Sequence, residues 1–210
     1  MAPVTVSEVS EAYGARAAEY IERFGEIDAA AEADRNAVLA WARGLDGPIV
    51  DVGCGPGQWT RFLSEHGHDV EGVDPTPEFV AAARARHPGI RFQVGRAERL
   101  DARAGSLGGI LAWYSLIHTE PERIDVALLE FARCLRSGGG LAIGFFEGPE
   151  LAPFDHAVTT AHYWPLDRLS ARVEACGFTV TGAERRTDPG VRTQGCITAV
   201  RSIVPPNRMP

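Results

Sequence analysis

Three glycines and one aspartate have the spacing of a site for a nucleoside-bearing ligand. Gly53, Gly55 and Gly57 lie in the stretch "IVDVGCGPGQWTRFL", between an apolar run and a helical pattern. Glycine adopts positive φ and lets a ligand approach the backbone, and the N–H groups that open the next helix favour an anionic group. Asp74 ends the next apolar run, 21 residues after Gly53. A carboxylate in that place can accept hydrogen bonds from both hydroxyls of a ribose.

Three ligand classes compete for such a site. A dinucleotide-binding loop has the pattern G-x-G-x-x-G, whereas the sixth position here is Gln58. A phosphate-binding P-loop needs a lysine, and the chain has none, since all 21 basic residues are arginines. The missing lysine also excludes a Schiff base and a Tyr-x-x-x-Lys dehydrogenase pair. The third class is S-adenosylmethionine, whose ribose and carboxylate use the same backbone features without a pyrophosphate.

A second group of candidate residues lies in the stretch "AWYSLIHTEPE". Trp113, Tyr114, Ser115 and His118 come at the carboxyl end of a predicted parallel strand, which is where ligands bind in such sheets. His118 is the candidate general base, because the unperturbed pKa of histidine lies near neutrality, and Tyr114 is the second candidate catalytic residue. The alternative is that His118 is structural or contacts a cofactor.

The elements that position these residues alternate between strands and helices. Five strands are predicted, at 48–53, 68–74, 90–95, 108–115 and 139–146. Three helices are predicted between them, at 58–66, 77–86 and 121–135. Near-continuous apolar strands that alternate with helices indicate an α/β fold with a doubly wound, mostly parallel sheet.

The two ends of the chain differ from this alternating middle. Residues 7–44 read as two helices broken near Gly25, and the first of them carries Tyr13, Arg16 and Tyr20 on one face. That face either contacts a ligand or packs in the core. After a proline-containing connection, a helix is predicted from Leu166 to Cys176. Two final strands, predicted at 178–186 and 196–204, are expected to pair antiparallel, followed by a tail at 205–210.

Composition excludes several function classes. The formal net charge of −7 argues against broad binding to nucleic acid. The sequence has no apolar run of the ~20 residues that span a bilayer and no secretory signal, so we expect a cytoplasmic protein. The four cysteines have no disulfide or zinc spacing. The "HGH" at 66–68 has no third ligand at a suitable distance, so no metal site is predicted.

The combined motifs resemble those of the class I, Rossmann-like, S-adenosylmethionine-dependent methyltransferases that act on small molecules. The resemblance rests on "VDVGCGPGQWTRFL", "VEGVDPTPEFVAAAR", "LRSGGGLAIGFF", "YWPLDRLSARVEACGFTV" and "AYGARAAEYIERF". It implies a seven-stranded sheet whose strand order is reversed at one edge, with an antiparallel terminal strand. It also implies one methyltransferase domain over 1–204: an N-terminal helical lid at 7–44, a cofactor-binding core at 45–146, and an acceptor-side connection with the terminal strands at 147–204.

The resemblance also implies roles for individual residues. Gly53, Gly55 and Gly57 would contact the methionine part of the cofactor, and Asp51 would hold the loop or reach the ammonium group. Asp74 would bind the ribose hydroxyls. The other residues implied on the cofactor side are Pro75 and Thr76 along the adenosine, Ala97 and Glu98 at the adenine edge, and Tyr13 at the methionine end. From their position at the end of the fourth strand, Trp113 and Ser115 are also expected to contact the cofactor. Arg96 stands where many relatives have an acidic residue.

Aromatic residues are frequent in and around the connection after the fifth strand, where the resemblance implies that the acceptor pocket forms. They are Phe145, Phe146, Phe154, His156, Tyr163 and Trp164. Their density favours a small organic acceptor. The predicted function is therefore methyl transfer from S-adenosylmethionine to O, N or C of a small molecule by in-line displacement, in a monomer or homodimer. The alternatives are a nicotinamide-dependent oxidoreductase and a non-catalytic S-adenosylmethionine-binding protein.

Overall fold

The architecture is a seven-stranded sheet with helices on both faces, as seen in a computed structural model that describes residues 5–202. The α-helices are α1 (Val6–Ala15), α2 (Ala17–Phe24), α3 (Glu32–Ala42), α4 (Gln58–Glu65), α5 (Pro77–Arg86), α6 (Ile124–Cys134) and α7 (Leu166–Ala175). The strands are β1 (Ile49–Val52), β2 (Val70–Asp74), β3 (Arg91–Val94), β4 (Leu107–Trp113), β5 (Leu135–Phe146), β6 (Ala152–Phe154), β7 (Ala161–Tyr163), β8 (Phe178–Arg186) and β9 (Gln194–Arg201).

The strand order of the large sheet is β3-β2-β1-β4-β5-β9-β8. The first five strands in this order are parallel, whereas β9 runs antiparallel to both of its neighbours, β5 and β8. Every residue of β1 and β4 is buried, as expected for central parallel strands covered on both faces. The predicted fold class is confirmed, including the reversed strand order at one edge and the antiparallel terminal strand.

Two apolar clusters cover the two faces of the sheet. On one face, α6 and α7 bury Leu128, Phe131 and Val173 against the strands. On the other face, α3 and α4 bury Val38 and Leu63. This two-sided packing leaves only the sheet's edges and strand ends for ligands, and the loops after β1, β2 and β4 meet at the carboxyl ends of these strands.

The N-terminal helices differ from the prediction. The break near Gly25 is confirmed, because Gly25 caps α2, but a second break at Arg16 divides the first predicted helix into α1 and α2. Arg16 has φ −117° and ψ 16°, outside the helical region. The kink lets Tyr13 on α1 and Tyr20 on α2 both contact Phe79 of α5. Residues 27–29 add a short 3₁₀ turn before α3.

Other boundaries also shift because of tertiary pairing. The helix predicted from residue 121 begins as a 3₁₀ turn and becomes α-helical at Ile124. Strand β5 begins at Leu135 rather than at 139, since Leu135 already pairs with Leu107 of β4. The connection after β5 contains a small sheet of β6 and β7, whose three-residue strands carry no clear sequence pattern. The predicted tail at 205–210 lies outside the described residues.

No helix within residues 5–202 has the length and apolar character that crossing a membrane would need. The four cysteines, all in this part of the chain, are free thiols.

Candidate functional site

The glycine loop between β1 and α4 has three residues in the left-handed region. Gly53, Gly55 and Gly57 have φ of 71°, 54° and 90°. A side chain at Gly53 would collide with Ser115, and one at Gly57 would collide with an aromatic ring. A Cβ at Gly55 would instead find open space, with the ring of Tyr20 nearest at 3.9 Å. Gly55 is therefore the glycine of the loop that faces space a ligand can occupy.

The Asp74 carboxylate joins the end of β2 to this loop. Its Oδ2 accepts the Gly55 N–H at 2.9 Å, and its Oδ1 accepts the Thr76 N–H at 2.8 Å. Burial raises the pKa of Asp74, and these backbone hydrogen bonds oppose the rise. The Thr76 hydroxyl also stabilises the carboxylate. A carboxylate has about four lone-pair sites, so it keeps capacity for a further donor, such as a ribose hydroxyl.

Asp51 is buried beneath the same loop. Its Oδ2 accepts a hydrogen bond from the Thr60 hydroxyl at 2.7 Å. Burial raises the pKa of Asp51 to about 7, although the Thr60 hydrogen bond lowers it and the nearby Asp74 raises it further. Asp51 therefore anchors α4 to β1. A cation bound beside it would favour the charged form of its carboxyl group.

A cleft lies at the carboxyl ends of β1, β3 and β4. The space is about 690 Å³, part of it open to solvent. Of the predicted cofactor-binding residues, five line it: Gly53, Pro75, Ala97, Glu98 and Ser115. Val6 and Val9 of α1 form part of its wall, and Arg96 lies at its margin. Thr76 is not in this lining, because its side chain is buried and its N–H holds Asp74.

His118 lies at the edge of this cleft in a fixed tautomer. Its Nδ1 is 2.8 Å from the Thr160 carbonyl oxygen, so Nδ1 must carry the proton and donate it. Its Nε2 is 2.9 Å from the Tyr13 hydroxyl and therefore accepts from it. Burial lowers the pKa of His118 to about 4, and the Thr160 hydrogen bond only partly offsets this effect. The imidazole is neutral near pH 7, with its one free lone pair directed at Tyr13.

The N-terminal helices are tied to the carboxyl edge of the sheet at three places. The Ser10 hydroxyl donates to the Pro75 carbonyl at 2.9 Å, the Tyr13 hydroxyl donates to His118, and the Arg16 guanidinium donates to the Ala157 carbonyl. These contacts close α1 over the strand ends that carry the candidate site. They also place the Tyr13 hydroxyl on His118, and its contact with the methionine end of a cofactor stays a prediction.

Tyr114 has the one positive φ found among the non-glycine residues of 5–202, at 57°. Such a conformation is costly outside glycine and is often found at functional sites. The Tyr114 ring packs on Phe146, and burial raises its pKa, with the nearby Asp34 adding to the rise. A high pKa keeps the Tyr114 hydroxyl protonated, so it can donate a hydrogen bond and is a poor base.

Of the two residues on either side of Tyr114, Trp113 lies in the core and Ser115 lines the cleft. Trp113 lies in the core against Trp59 and is not among the residues that line the cleft. The Ser115 hydroxyl is buried without a hydrogen-bond partner, next to Gly53. An unpartnered buried hydroxyl at a cleft fits a site completed by a polar ligand.

The aromatic residues after β5 also divide into two sets. Phe145 and Trp164 are buried in the core, which corrects their expected place in an acceptor pocket. Phe146, Phe154, His156 and Tyr163 are half-buried at the carboxyl edge of the sheet. Within residues 5–202, no group of three or more His, Cys, Asp or Glu side chains could hold a metal ion.

Two partners of the candidate residues were not found from the sequence. Thr60 holds Asp51, and Thr160 fixes the tautomer of His118 through its backbone carbonyl. A backbone acceptor 42 residues away from its donor leaves no signal in residue types. Thr60 lies on the inner face of α4, nine residues after Asp51, so helical periodicity could have indicated it.

Comparisons with known proteins agree with the fold and the loop. Residues 49–139 match the sequence profile of a family described as "Methyltransferase domain". An uncharacterized methyltransferase of Mycobacterium tuberculosis is 36% identical over 95 residues, which cover 45% of this chain and 38% of that protein. A trans-aconitate 2-methyltransferase of Mycolicibacterium gilvum is 31% identical over 153 residues, covering 68% of this chain and 56% of that protein. The chain thus spans less than two thirds of the length of these curated relatives.

A solved structure extends the similarity to nearly the whole chain. It is a Burkholderia thailandensis 1,6-didemethyltoxoflavin-N1-methyltransferase with bound 1,6-didemethyltoxoflavin and S-adenosylhomocysteine. The TM-score is 0.76, with 23% identity, covering 97% of this chain and 93% of that one. At this identity the likeness shows a shared fold.

Proposed function

We propose that this chain, whose residues 49–139 match the profile of a methyltransferase-domain family, transfers a methyl group from S-adenosylmethionine to a small-molecule acceptor. The observation that carries the proposal is the hydrogen bond from the Gly55 N–H to the Asp74 carboxylate, at 2.9 Å. This contact joins the glycine loop and the acidic residue at the end of β2 into one site. The names of the relatives, which include small-molecule methyltransferases, support the same substrate class.

The residues present fit the proposed cofactor. The open space at Gly55, the unpartnered Ser115 hydroxyl and the free lone pairs of Asp74 offer the shape and the hydrogen-bonding groups that an adenosyl amino acid needs. Gly55 and Asp51 would meet its methionine part, Asp74 its ribose, and Ala97 and Glu98 its adenine. When bound, S-adenosylmethionine supplies an electrophilic methyl group on a positively charged sulfur.

The chain's own residues contribute alignment, exclusion of water and a place for a proton. Methyl transfer needs the acceptor atom in line with the methyl group, and a closed site keeps water away from it. The lid contacts of Ser10, Tyr13 and Arg16 close that edge. His118 Nε2 is the atom of the imidazole that can take a proton, since Nδ1 already holds one. An acceptor O–H or N–H would reach Nε2 by displacing the Tyr13 hydroxyl.

Methyl incorporation from radiolabelled S-adenosylmethionine tests the proposal. The protein is incubated with the low-molecular-weight and the macromolecular fractions of a bacterial extract, and label is counted in each. We expect label in the low-molecular-weight fraction, and none when Asp74→Ala replaces the wild type. His118→Asn should retain cofactor affinity and lose turnover if His118 is the base. Cofactor binding without label in either fraction would favour the non-catalytic alternative.

The predictions of a cytoplasmic location, of a monomer or homodimer, and of no nucleic-acid partner stay predictions.

A further inference from the structure

A cluster of half-buried rings adjoins the candidate base. We call Phe146, Phe154, His156 and Tyr163 the ring cluster. Its members contact one another, with ring centroids 5.4 Å apart for Phe146 and Phe154 and 4.2 Å apart for Phe154 and Tyr163. His156 lies 5.1 Å from the His118 ring. The ring cluster is therefore a continuous set of half-buried aromatic side chains that starts beside His118 and extends to Phe154 and Tyr163.

Arg192 lies over the far end of the ring cluster. Its guanidinium is 4.7 Å from the centroid of the Phe154 ring. Its Nε donates to the Tyr163 hydroxyl at 3.1 Å, and its Nη2 donates to the Asp155 carbonyl oxygen at 3.4 Å. Stacking and two hydrogen bonds hold the side chain in place, and three of its five N–H donors remain for another partner.

Arg192 differs from the other arginines nearby in the kind of group that its guanidinium contacts. Arg16 pairs with Glu19, Arg185 with Glu147, and Arg186 with Asp34. Among the described residues, the oxygens that Arg192 contacts are all neutral. A positioned guanidinium beside an apolar surface, without a carboxylate of its own, is the arrangement that binds a carboxylate in two-point contact.

The charge of Arg192 also affects the pKa of His156, the member of the ring cluster that lies beside His118. Burial lowers the pKa of His156, and Arg192 and Arg16 lower it further. His156 is therefore neutral near pH 7 and does not add a second cation. Arg16 is already held by Glu19 and by the Ala157 carbonyl, so Arg192 is the better placed of the two for a new anion.

We propose that the methyl acceptor is a flat aromatic carboxylate, whose carboxylate binds Arg192 and whose ring system lies on the ring cluster. The inference rests on the proposed function, because it names the substrate class of the same site. In this arrangement the end of the acceptor opposite the carboxylate faces His118. Arg192 is then a specificity-determining residue, and the ring cluster supplies most of the contact area.

Paired probes test the proposal in the presence of saturating S-adenosylhomocysteine. The probes are 4-hydroxybenzoate and 1-hydroxy-2-naphthoate, each compared with its carboxamide by tryptophan fluorescence titration. For at least one pair, we expect the carboxylate to bind the wild type at least about ten-fold more tightly than the amide. Arg192→Gln should remove this preference, and Arg192→Lys should keep part of it. The preference should also decrease at high salt.

Controls separate this inference from the proposed function and from misfolding. Arg168→Gln, an exposed arginine on α7, should leave the preference unchanged. Circular dichroism melting of Arg192→Gln verifies that the variant is folded, and Arg192→Lys provides a second variant. Equal affinity for both members of every pair, an unchanged preference in Arg192→Gln, or no carboxylate binding while S-adenosylhomocysteine binds would overturn the inference. A failure of S-adenosylhomocysteine itself to bind would count against the proposed function instead.

Discussion

At the scale of single residues, the buried imidazole of His118 makes the free energy of unfolding depend on pH. The folded state keeps the imidazole neutral, since burial lowers its pKa from 6.5 to about 4. An unfolded chain takes up the proton near pH 6.5, so between these two pKa values the unfolded state binds more protons. The free energy of unfolding must therefore fall as the pH decreases through this window.

Wild type and His118→Asn should differ in their pH dependence accordingly. Between pH 7 and pH 5, we expect the free energy of unfolding of the wild type to fall by about 2 kcal/mol more than that of the variant. Asparagine keeps a donor for the Thr160 carbonyl but does not titrate. Urea denaturation at several pH values gives the comparison. Parallel pH profiles for the two proteins would mean that His118 is not buried in its neutral form.

Cofactor binding is expected to change the protonation of Asp51. Burial raises its pKa to about 7, so near neutral pH a substantial fraction of the molecules carries a protonated Asp51. The proposed site brings the cofactor's ammonium group to this carboxyl, and a cation favours the charged form. Binding of S-adenosylhomocysteine at pH 7 should then release a fraction of a proton.

Calorimetric titration in two buffers of different ionisation enthalpy measures that release. The observed binding enthalpy should depend on the buffer for the wild type and become independent of it in Asp51→Asn. An enthalpy that is the same in both buffers for the wild type would argue against a cation beside Asp51.

At the scale of elements, the N-terminal helices form the part of the fold that covers the site. The Tyr13 hydroxyl contributes one of their three hydrogen bonds to the strand ends. Replacing it removes about 1 kcal/mol from the closed state and leaves His118 Nε2 without a donor. Tyr13→Phe should therefore raise the opening equilibrium of α1 and α2 about five-fold.

Amide hydrogen exchange of residues 13–24 provides the measurement. Exchange in this segment should be faster in Tyr13→Phe and unchanged in Ser7→Ala, which alters an exposed hydroxyl of α1. Exchange in β1 and β4 should not change in either variant. Equal protection of α1 and α2 in wild type and Tyr13→Phe would show that the rings, rather than the hydroxyl, hold the lid closed.

The elements show why prediction from sequence succeeded in some places and failed in others. Strands β1 and β4 are apolar at every position or nearly so, and that pattern alone indicates a buried parallel strand. The break at Arg16 was not predicted: residues 7–24 contain no proline, and Gly14, two residues before the break, is the one residue nearby that disfavours a helix. It follows from tertiary contacts, with Tyr13 and Tyr20 both reaching Phe79.

In the candidate site too, some residues could be predicted from the sequence and others could not. Gly53, Gly55, Gly57 and Asp74 could be found because their residue types and spacing follow from the backbone geometry of a loop between a strand and a helix. The pairing of Tyr13 with His118 could not, since it joins residues 105 positions apart. Trp113 was assigned to the cofactor from its position in the chain, but alternation along β4 turns its ring into the core.

At the scale of the whole molecule, residues 49–139 match a methyltransferase-domain profile, and the fold is shared with a solved methyltransferase. Fold alone does not decide chemistry, because the same architecture carries different reactions. Binding of an adenosyl amino acid at the site formed by the glycine loop and Asp74 is therefore the central question. NAD is the informative competitor, since a dinucleotide site uses a similar loop and a similar acidic residue.

The most direct test is chemical denaturation of the wild type, Asp74→Asn and Asp74→Ala with S-adenosylhomocysteine or NAD. At ~100 times its dissociation constant, S-adenosylhomocysteine should raise the free energy of unfolding of the wild type by about 2.7 kcal/mol. NAD at the same concentration should leave it unchanged. Asp74→Asn keeps one acceptor oxygen for the loop and should bind more weakly, whereas Asp74→Ala should gain no stability from either ligand. Stabilisation by NAD alone, or equal stabilisation of wild type and Asp74→Ala by S-adenosylhomocysteine, would contradict the account.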